Sequence, residues 1–312
     1  GDLAIRGAKG DVQGVITSSF TDGTLPELRI TADNTLDIGA NLTAAGDLAL
    51  TAGNRLTVVD AVLQAQTIAF AGASVVLGDT ASNRAAVVVA RDRVSADLAG
   101  DFRVEEGVLI GTSAAGSSID LKAKIMTIMG TLHAGAALQD ANGSQSLEAV
   151  ADTASVTLTA INSLRLGGID QDGVVRGGSV LATGAITLNG GEASMRRTDG
   201  AVQGAGLYVD AASQVIVENV AGDASGTITI TGTRDVVLNG QIYADGVAGV
   251  VDVDVQRRVL LNGFLRAHTA VDIYGGISDP LAYSVETEIV VYDTADPLSP
   301  VRQSGSVIDT LA

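Results

Sequence analysis

Short runs of alternating apolar and polar residues recur along the chain at nearly constant intervals. Ile30, Leu50 and Phe70 occupy the centres of three such runs and are equally spaced. Within each run every second residue is apolar, which is the period of a β-strand with one buried face. Strand-type alternation at a fixed period of about 20 residues is typical of a solenoid built from β-strands.

A similar interval returns in the second half of the chain. Leu188, Val209, Ile230, Val253 and Ile273 follow one another at nearly the same spacing as the first three. We therefore predict that the last four of these residues stack in the interior, and that the three residues of the first series do the same.

The repeated pattern predicts an all-β fold, a right-handed parallel β-helix (β-solenoid) with coils of about 20 residues over residues 1–276. The right hand follows from the general preference for right-handed crossovers between parallel strands. The pattern loosens near residues 79–118, 135–154 and 191–206, where we predict insertions at corners, because a solenoid accepts extra residues there. Residues 277–312 contain three of the four prolines and are predicted to be a connector or capping segment.

A Leu-Asn-Gly tripeptide closes three of the apolar runs. Gly and Asn both tolerate the backbone conformations that a sharp corner requires. If these corners stack, their Asn side chains come close enough for amide-to-amide hydrogen bonds along the axis, although Asn-Gly is equally a convenient turn. The predicted structural corner residues are Asn189, Gly190, Asn239, Gly240, Asn262 and Gly263.

Composition and charge narrow the range of partners. Hydrophobic residues make up 46% of the chain but aromatic residues only 3%, which suits a thin core of stacked aliphatic side chains. A net charge of −17 opposes binding to nucleic acid and to anionic lipid. No apolar run approaches the roughly 18 residues of a membrane span, so no membrane insertion is expected. The predicted partners are neighbouring segments of the same large protein, other copies of it, or cell-surface or matrix glycans.

The segment GDLALTAG at residues 46–53 resembles a recurring phrase of filamentous-haemagglutinin-like exoproteins, which are giant bacterial adhesins. Residues 183–190 and 226–232 are similar, and the resemblance extends over roughly residues 28–276. It implies a right-handed parallel β-helix that is secreted or attached to the cell surface of a bacterium, often as a rigid stalk. The chain differs from this pattern in its longer corner insertions. It starts as if in the middle of a coil, so we expect a segment of a longer protein.

Candidate catalytic groups are few. Parallel β-helices include polysaccharide lyases and tailspike-like hydrolases, and a glycosidase needs two carboxyl groups about 5–9.5 Å apart. Asp252 and Asp254 point to one face of a predicted strand and are the best local pair, although charged residues are ordinary on an outward face. His133 and His268 are predicted to be solvent-exposed corner residues, too far apart for one metal site. We predict no catalytic set.

Calcium is the one ion that the acidic loops favour, because it prefers oxygen ligands. Its candidate ligands are Asp170, Asp172, Asp252 and Asp254, and no other cofactor is predicted.

We expect a structural stalk or filament segment of a large extracellular or cell-surface bacterial protein, supporting adhesion or an extracellular matrix. Two alternatives stay open: a carbohydrate-active β-helix enzyme, either a polysaccharide lyase or a tailspike-like hydrolase, and a calcium-stabilised S-layer or biofilm module.

Overall fold

The computed structural model of this 312-residue chain is all β, with no helix among the residues that it describes. Side-chain burial is described only for residues between 27 and 274. Within that range it is not described in the gaps between the described ranges, in the strands 196–198 and 201–203, or at residue 258. The structure describes residues 3–12, 16–18, 27–79, 84–141, 144–169, 174–194, 196–198, 201–203, 205–218, 220, 226–245, 248–261, 263–275, 289–293 and 296–303.

Most of the strands are short, and corners of a few residues separate them. The first eleven are β1 (Leu3–Val12), β2 (Ile16–Ser18), β3 (Leu28–Ile38), β4 (Leu42–Ala44), β5 (Asp47–Val58), β6 (Val62–Leu77), β7 (Val87–Leu98), β8 (Asp101–Val104), β9 (Leu109–Thr112), β10 (Ser118–Ile128) and β11 (Thr131–Ala134). The next eleven are β12 (Ala136–Ala141), β13 (Ser144–Ala149), β14 (Ser155–Leu166), β15 (Gly168–Ile169), β16 (Val175–Arg176), β17 (Ser179–Ala182), β18 (Ala185–Gly190), β19 (Arg196–Thr198), β20 (Ala201–Gln203), β21 (Leu207–Val209) and β22 (Gln214–Val217). The last nine are β23 (Thr227–Gly232), β24 (Asp235–Leu238), β25 (Gln241–Ala244), β26 (Val250–Val255), β27 (Arg258–Leu261), β28 (Phe264–Ala267), β29 (Ala270–Gly275), β30 (Ile289–Asp293) and β31 (Asp296–Gln303).

Twenty-three of the strands belong to one sheet, whose strands pair in parallel in three columns. Column one contains β1, β3, β5, β6, β7, β10, β14, β18, β23, β26 and β29. Column two contains the C-terminal parts of β1, β3, β5, β6, β10 and β14, together with β8, β21, β24 and β27. Column three contains β2, β4, the N-terminal parts of β6 and β7, and β9, β11, β17, β22, β25 and β28.

The predicted inward alternation of the first series is confirmed. Ile30 pairs in register with Leu50, and Leu50 with Phe70, and all three side chains are buried. Strand β5 shows the reason in its exposure, since buried and partly exposed residues alternate from Leu48 to Ala52. Because the strands are parallel and in register, every inward side chain lies on the equivalent side chain of the next strand, and aliphatic residues fill this narrow interior.

The second series is confirmed except at Val209. Leu188, Ile230, Val253 and Ile273 pair successively in column one and are buried. Val209 is also buried, but it belongs to β21 in column two, so its predicted place in the series is wrong. The interval from Leu188 to Ile230 is about twice the usual repeat, because strands of columns two and three and the β19–β20 hairpin all lie within it. Leu188 and Ile230 are nevertheless direct register partners, so this interval contains one repeat rather than two.

The insertions are antiparallel hairpins. The pair β12–β13 lies within the predicted insertion at 135–154, and β19–β20 lies within the one at 191–206. A third hairpin, β15–β16, was not predicted. In the range 79–118, β7, β8 and β9 lie in their columns, and the predicted insertions at the corners between them stay a prediction. In the tail, β30 and β31 form a separate antiparallel pair, and its role as a connector or cap stays a prediction.

Two of the predicted corner asparagines form side-chain hydrogen bonds with Thr and Tyr hydroxyl groups. Asn189 lies inside β18, where its amide nitrogen donates to Thr159 Oγ1 at 3.0 Å and its amide oxygen accepts from Thr231 Oγ1 at 2.8 Å. Asn239 donates to the Tyr208 hydroxyl at 3.0 Å. These hydrogen bonds link neighbouring strands through Thr and Tyr hydroxyls, whereas the predicted contact between Asn239 and Asn262 lies outside the described residues.

The predicted corner glycines lie at close backbone approaches. A Cβ on Gly240 would lie 2.4 Å from the carbonyl oxygen of Ser213, and one on Gly263 would lie 2.2 Å from that of Gly240. A Cβ on Gly190 would lie 2.7 Å from the Cβ of Leu207, although Gly190 is the last residue of β18 and not a corner. Asn262 lies outside the described residues. A side chain is thus excluded at Gly240 and Gly263 by packing between neighbouring corners.

The inward alternation is testable with a pair of adjacent substitutions. Leu50 has no exposed surface, so Leu50→Asp should bury a carboxylate without a partner and lower the free energy of unfolding by at least about 3 kcal/mol. Thr51→Asp, on the outward face, should change it by less than about 0.5 kcal/mol. Denaturant unfolding followed by circular dichroism measures both, and equal effects would contradict the assigned faces.

Candidate functional site

Column three holds the first of two groups of ionisable side chains. His133 lies in β11 and is only 3% exposed, so the prediction that it is a solvent-exposed corner residue is wrong. The β12–β13 hairpin packs against β9 and β11, and its Leu147 lies over Gly111, the register partner of His133. A hairpin inserted after β11 therefore covers an outward position that would otherwise face solvent.

His133 has a carboxylate as its ionisable neighbour. Its Nε2 lies 3.3 Å from Oε2 of Glu218, but the orientation of the two groups does not form a hydrogen bond. Glu218 follows β22, two strands further along the column. The contact becomes an ion pair only when the imidazole is protonated.

The second group contains Tyr243, Asp245, Arg266 and His268. Tyr243 and Arg266 are register partners, and the Arg266 guanidinium lies 5.2 Å from the centre of the Tyr243 ring. The Tyr243 hydroxyl donates to Oδ1 of Asp245 at 3.0 Å, and His268 Nε2 lies 3.2 Å from the same oxygen. His268 is exposed, as predicted. These four side chains converge although Tyr243 and His268 belong to different passes of the chain.

This group contains both acid and base functions. Burial raises the pKa of Tyr243, the hydrogen bond to Asp245 and the charge of that carboxylate raise it further, and Arg266 acts in the opposite direction. A phenol, an imidazole and a carboxylate within hydrogen-bonding distance can donate and accept protons. Sequence analysis missed this group because it judged His268 alone. The sequence did contain a signal for this group: Asp245 and His268 each come directly after an Ala that ends a strand, so they occupy equivalent positions on neighbouring strands.

The acidic candidates lie on column one. Asp252 and Asp254 both point outward from β26, and Asp252 is the register partner of Asp272 on β29. Burial raises the pKa of Asp252, and the neighbouring charges of Asp272 and Asp254 raise it further. The other two calcium candidates, Asp170 and Asp172, lie outside the described residues. Among the residues that are described, no three His, Asp or Glu side chains are placed to hold a metal ion.

Polar side chains along column two link successive strands. Arg165 donates two hydrogen bonds to Asp210, at 2.9 and 3.1 Å, and its guanidinium lies 4.9 Å from the centre of the Tyr208 ring. The fully buried Asp235 has Arg257 Nη1 at 3.7 Å. These partners are far apart in sequence but lie on adjacent strands or at the corners beside them, so they tie the sheet together along its stacking direction.

An open groove of about 460 Å³ lies on the outside of column one, across β6, β7, β10 and β14. The small side chain of Ala71 lines it. Two ion pairs line it: Arg93 Nε lies 2.9 Å from Oδ2 of Asp120, and Lys122 Nζ lies 3.4 Å from Oδ2 of Asp97. Because each pair joins groups of opposite charge, the groove carries no net charge.

Comparison with known proteins adds no relative: no family model matches the chain, and no match was found among curated proteins or solved structures. A search of the described residues finds no helix long and apolar enough to cross a membrane.

The raised pKa of Asp252 predicts a pH-dependent stability effect. Because this pKa lies above the ordinary value of about 3.9, the folded state binds the proton more tightly than the unfolded state, and ionisation destabilises the fold as the pH rises. Asp252→Asn should therefore raise the melting temperature at pH 7, and the gain should vanish below about pH 3.5, where the wild-type carboxyl is protonated in both states.

Melting curves between pH 3 and 8 provide the measurement. Asp101→Asn is the matched control, because it removes the same charge from an exposed outward position of column two whose register partner on β10 is Ile125. An equal gain in both variants at pH 7 would show that only the net charge matters, and would contradict the local origin of the shift.

Proposed function

We propose that this chain is a segment of a right-handed parallel β-helix that serves as a stalk or filament of a large secreted or cell-surface bacterial protein, where it supports adhesion or an extracellular matrix. The three columns of parallel strands are its three sides in this proposal. The right hand rests on the preference of parallel strands for right-handed crossovers.

The observation that carries the proposal is the unbroken parallel pairing of column one. Eleven described strands follow one another in it from β1 to β29, which at about 4.8 Å per step corresponds to roughly 48 Å along the stacking direction. Stacked units that contact mainly their neighbours can be lengthened without a change in the interior. This is the mechanical requirement of a spacer.

The side-chain links along the stacking direction also support a load-bearing role. Arg165 with Asp210, and Asn189 with Thr159 and Thr231, each join different strands of the stack. Bidentate Arg–carboxylate pairs are among the stronger polar contacts in proteins. The extracellular location rests on the resemblance of residues 46–53 to surface exoproteins and on the acidic composition, which keeps exposed strands from aggregating.

A deletion in register tests the proposed architecture. Leu48 and Ile68 are register partners, so removal of residues 48–67 takes out one whole coil and joins Asp47 to Ile68. We expect this variant to keep its strand content and cooperative melting, because each remaining strand finds an equivalent neighbour. Removal of only residues 48–57 leaves too little chain to span three columns, and this half-coil deletion should abolish cooperative melting.

The same variants test the stalk function when the chain is placed between a surface anchor and an adhesive domain. Adhesion should survive the whole-coil deletion and fail after the half-coil deletion. Loss of folding after the whole-coil deletion would contradict the β-helix. Normal folding with loss of adhesion would contradict a spacer role.

A carbohydrate-active enzyme is the second candidate, and the Tyr243–Asp245–His268 group favours it. A phenol and an imidazole beside a carboxylate and Arg266 could move a proton at a bound sugar ring. The group is partly exposed at a corner of column three, within reach of a polymer. Hydrolysis would release reducing ends, and β-elimination at a uronate would release unsaturated ends.

The enzyme alternative predicts turnover that depends on this group. The purified chain should then release reducing or unsaturated ends from a panel of acidic and neutral polysaccharides, and His268→Ala or Tyr243→Phe should lower the rate at least about 100-fold. Tyr208→Phe is the control, because Tyr208 also lies beside an arginine but on column two. The stalk proposal expects no turnover from any of these proteins.

Calcium distinguishes the third alternative, a calcium-stabilised S-layer or biofilm module. That alternative requires calcium to raise the melting temperature of the wild-type chain and to lose this effect in a protein with Asp252→Asn and Asp254→Asn. The passive stalk requires no calcium effect in either protein.

A further inference from the structure

We propose that the groove on column one binds a linear, uncharged polysaccharide that lies along the stacking direction. This inference names a ligand class for the proposed surface protein, and it rests on that proposed function for its biological setting. The evidence is the shape of the groove, its balanced charge and the hydroxyl groups that continue beyond it.

The shape of the groove favours an extended polymer. It crosses four consecutive strands of column one, which corresponds to three steps and about 14 Å along the stack. It is open to solvent along its length, whereas sites for small molecules are concave and enclose most of their ligand. Ala71 lines the groove with a single methyl group, so a larger outward side chain at this position would enter the groove.

The charge of the groove favours an uncharged ligand. Arg93 is paired with Asp120 and Lys122 with Asp97, so two positive and two negative groups cancel. An anionic polymer would approach a chain whose net charge is −17 and would have to compete with the paired carboxylates. Sugar hydroxyls both donate and accept hydrogen bonds, so they can bind the cationic and the anionic side chains of the groove. Such charge-assisted hydrogen bonds are stronger than those between neutral groups.

Outward threonines extend the groove toward the C-terminal strands. Thr157 lines the groove, and Thr187 and Thr229 follow it in register on β18 and β23. Their hydroxyls repeat at the strand spacing of about 4.8 Å. In the parallel row beside them, Asn189 is held between Thr159 and Thr231 by hydrogen bonds, which fixes its amide group. A polymer leaving the groove thus meets a regular row of hydroxyl groups.

Affinity electrophoresis of the full chain tests the proposal directly. Native gels containing mixed-linkage β-glucan, xylan or galactomannan should retard the wild-type protein in at least one case, and polygalacturonate, the anionic counterpart, should not. Ala71→Arg should fill the groove and weaken binding about tenfold or more. A protein with both Asp97→Ala and Lys122→Ala should be weakened similarly while its net charge is unchanged.

Ala99→Arg is the matched control, because it adds the same side chain at an exposed corner after β7 and should bind like the wild type. Melting curves identify any variant that does not fold, and Thr157→Val, which removes only a hydroxyl, provides a second variant of the groove. No retardation by any neutral polysaccharide, equal binding by the groove variants and the control, or binding of polygalacturonate alone would each overturn the proposal.

The test is separate from that of the stalk. The coil removed by deletion of residues 48–67 does not line the groove, so the deleted protein should keep both its fold and its polysaccharide binding. Loss of binding in a normally folded Ala71→Arg protein would support the groove proposal and leave the stalk proposal untouched. Failure of the whole-coil deletion to fold would contradict the stalk proposal only.

Discussion

Parallel backbone hydrogen bonding in register is the constraint on which the structure depends. An interior strand of column one donates and accepts backbone hydrogen bonds with the strand before it and the strand after it, and buried backbone groups need such partners. Once this register is set, equivalent side chains lie one above another. Ile30, Leu50 and Phe70 therefore form part of one continuous apolar interior, although each comes from a different pass of the chain.

The same register organises the outer surface. An outward side chain finds its nearest neighbours on adjacent strands, so polar pairs form between residues that are distant in sequence. Arg165 with Asp210, and Thr231 with Asn189, are two such pairs. These contacts lie on the flanks of the stack, and they link its strands to one another. In the proposed polysaccharide groove, two further pairs also leave the surface locally neutral within a strongly acidic chain.

Insertions alter this pattern at particular points. The β12–β13 hairpin leaves the sheet after β11 and returns over its outer face, which removes His133 from solvent. Near the other end of column three, His268 is exposed beside Asp245 and Tyr243, with no hairpin over it among the described residues. The two histidines of the chain therefore lie in different environments, although both are next to a carboxylate.

The sequence by itself determined the all-β class, the inward alternation and most of the equivalent positions, because an alternation of period two is a local property of each strand. Two hairpins of the described residues, β12–β13 and β19–β20, lie in ranges where the polar composition interrupts the alternation. Only the tertiary structure decided the register across insertions of unequal length. That register moved Val209 into column two and placed Asn189 between two threonines. It likewise brought Tyr243, Asp245 and His268 together, since a residue's neighbours in a stacked sheet depend on the length of every intervening corner.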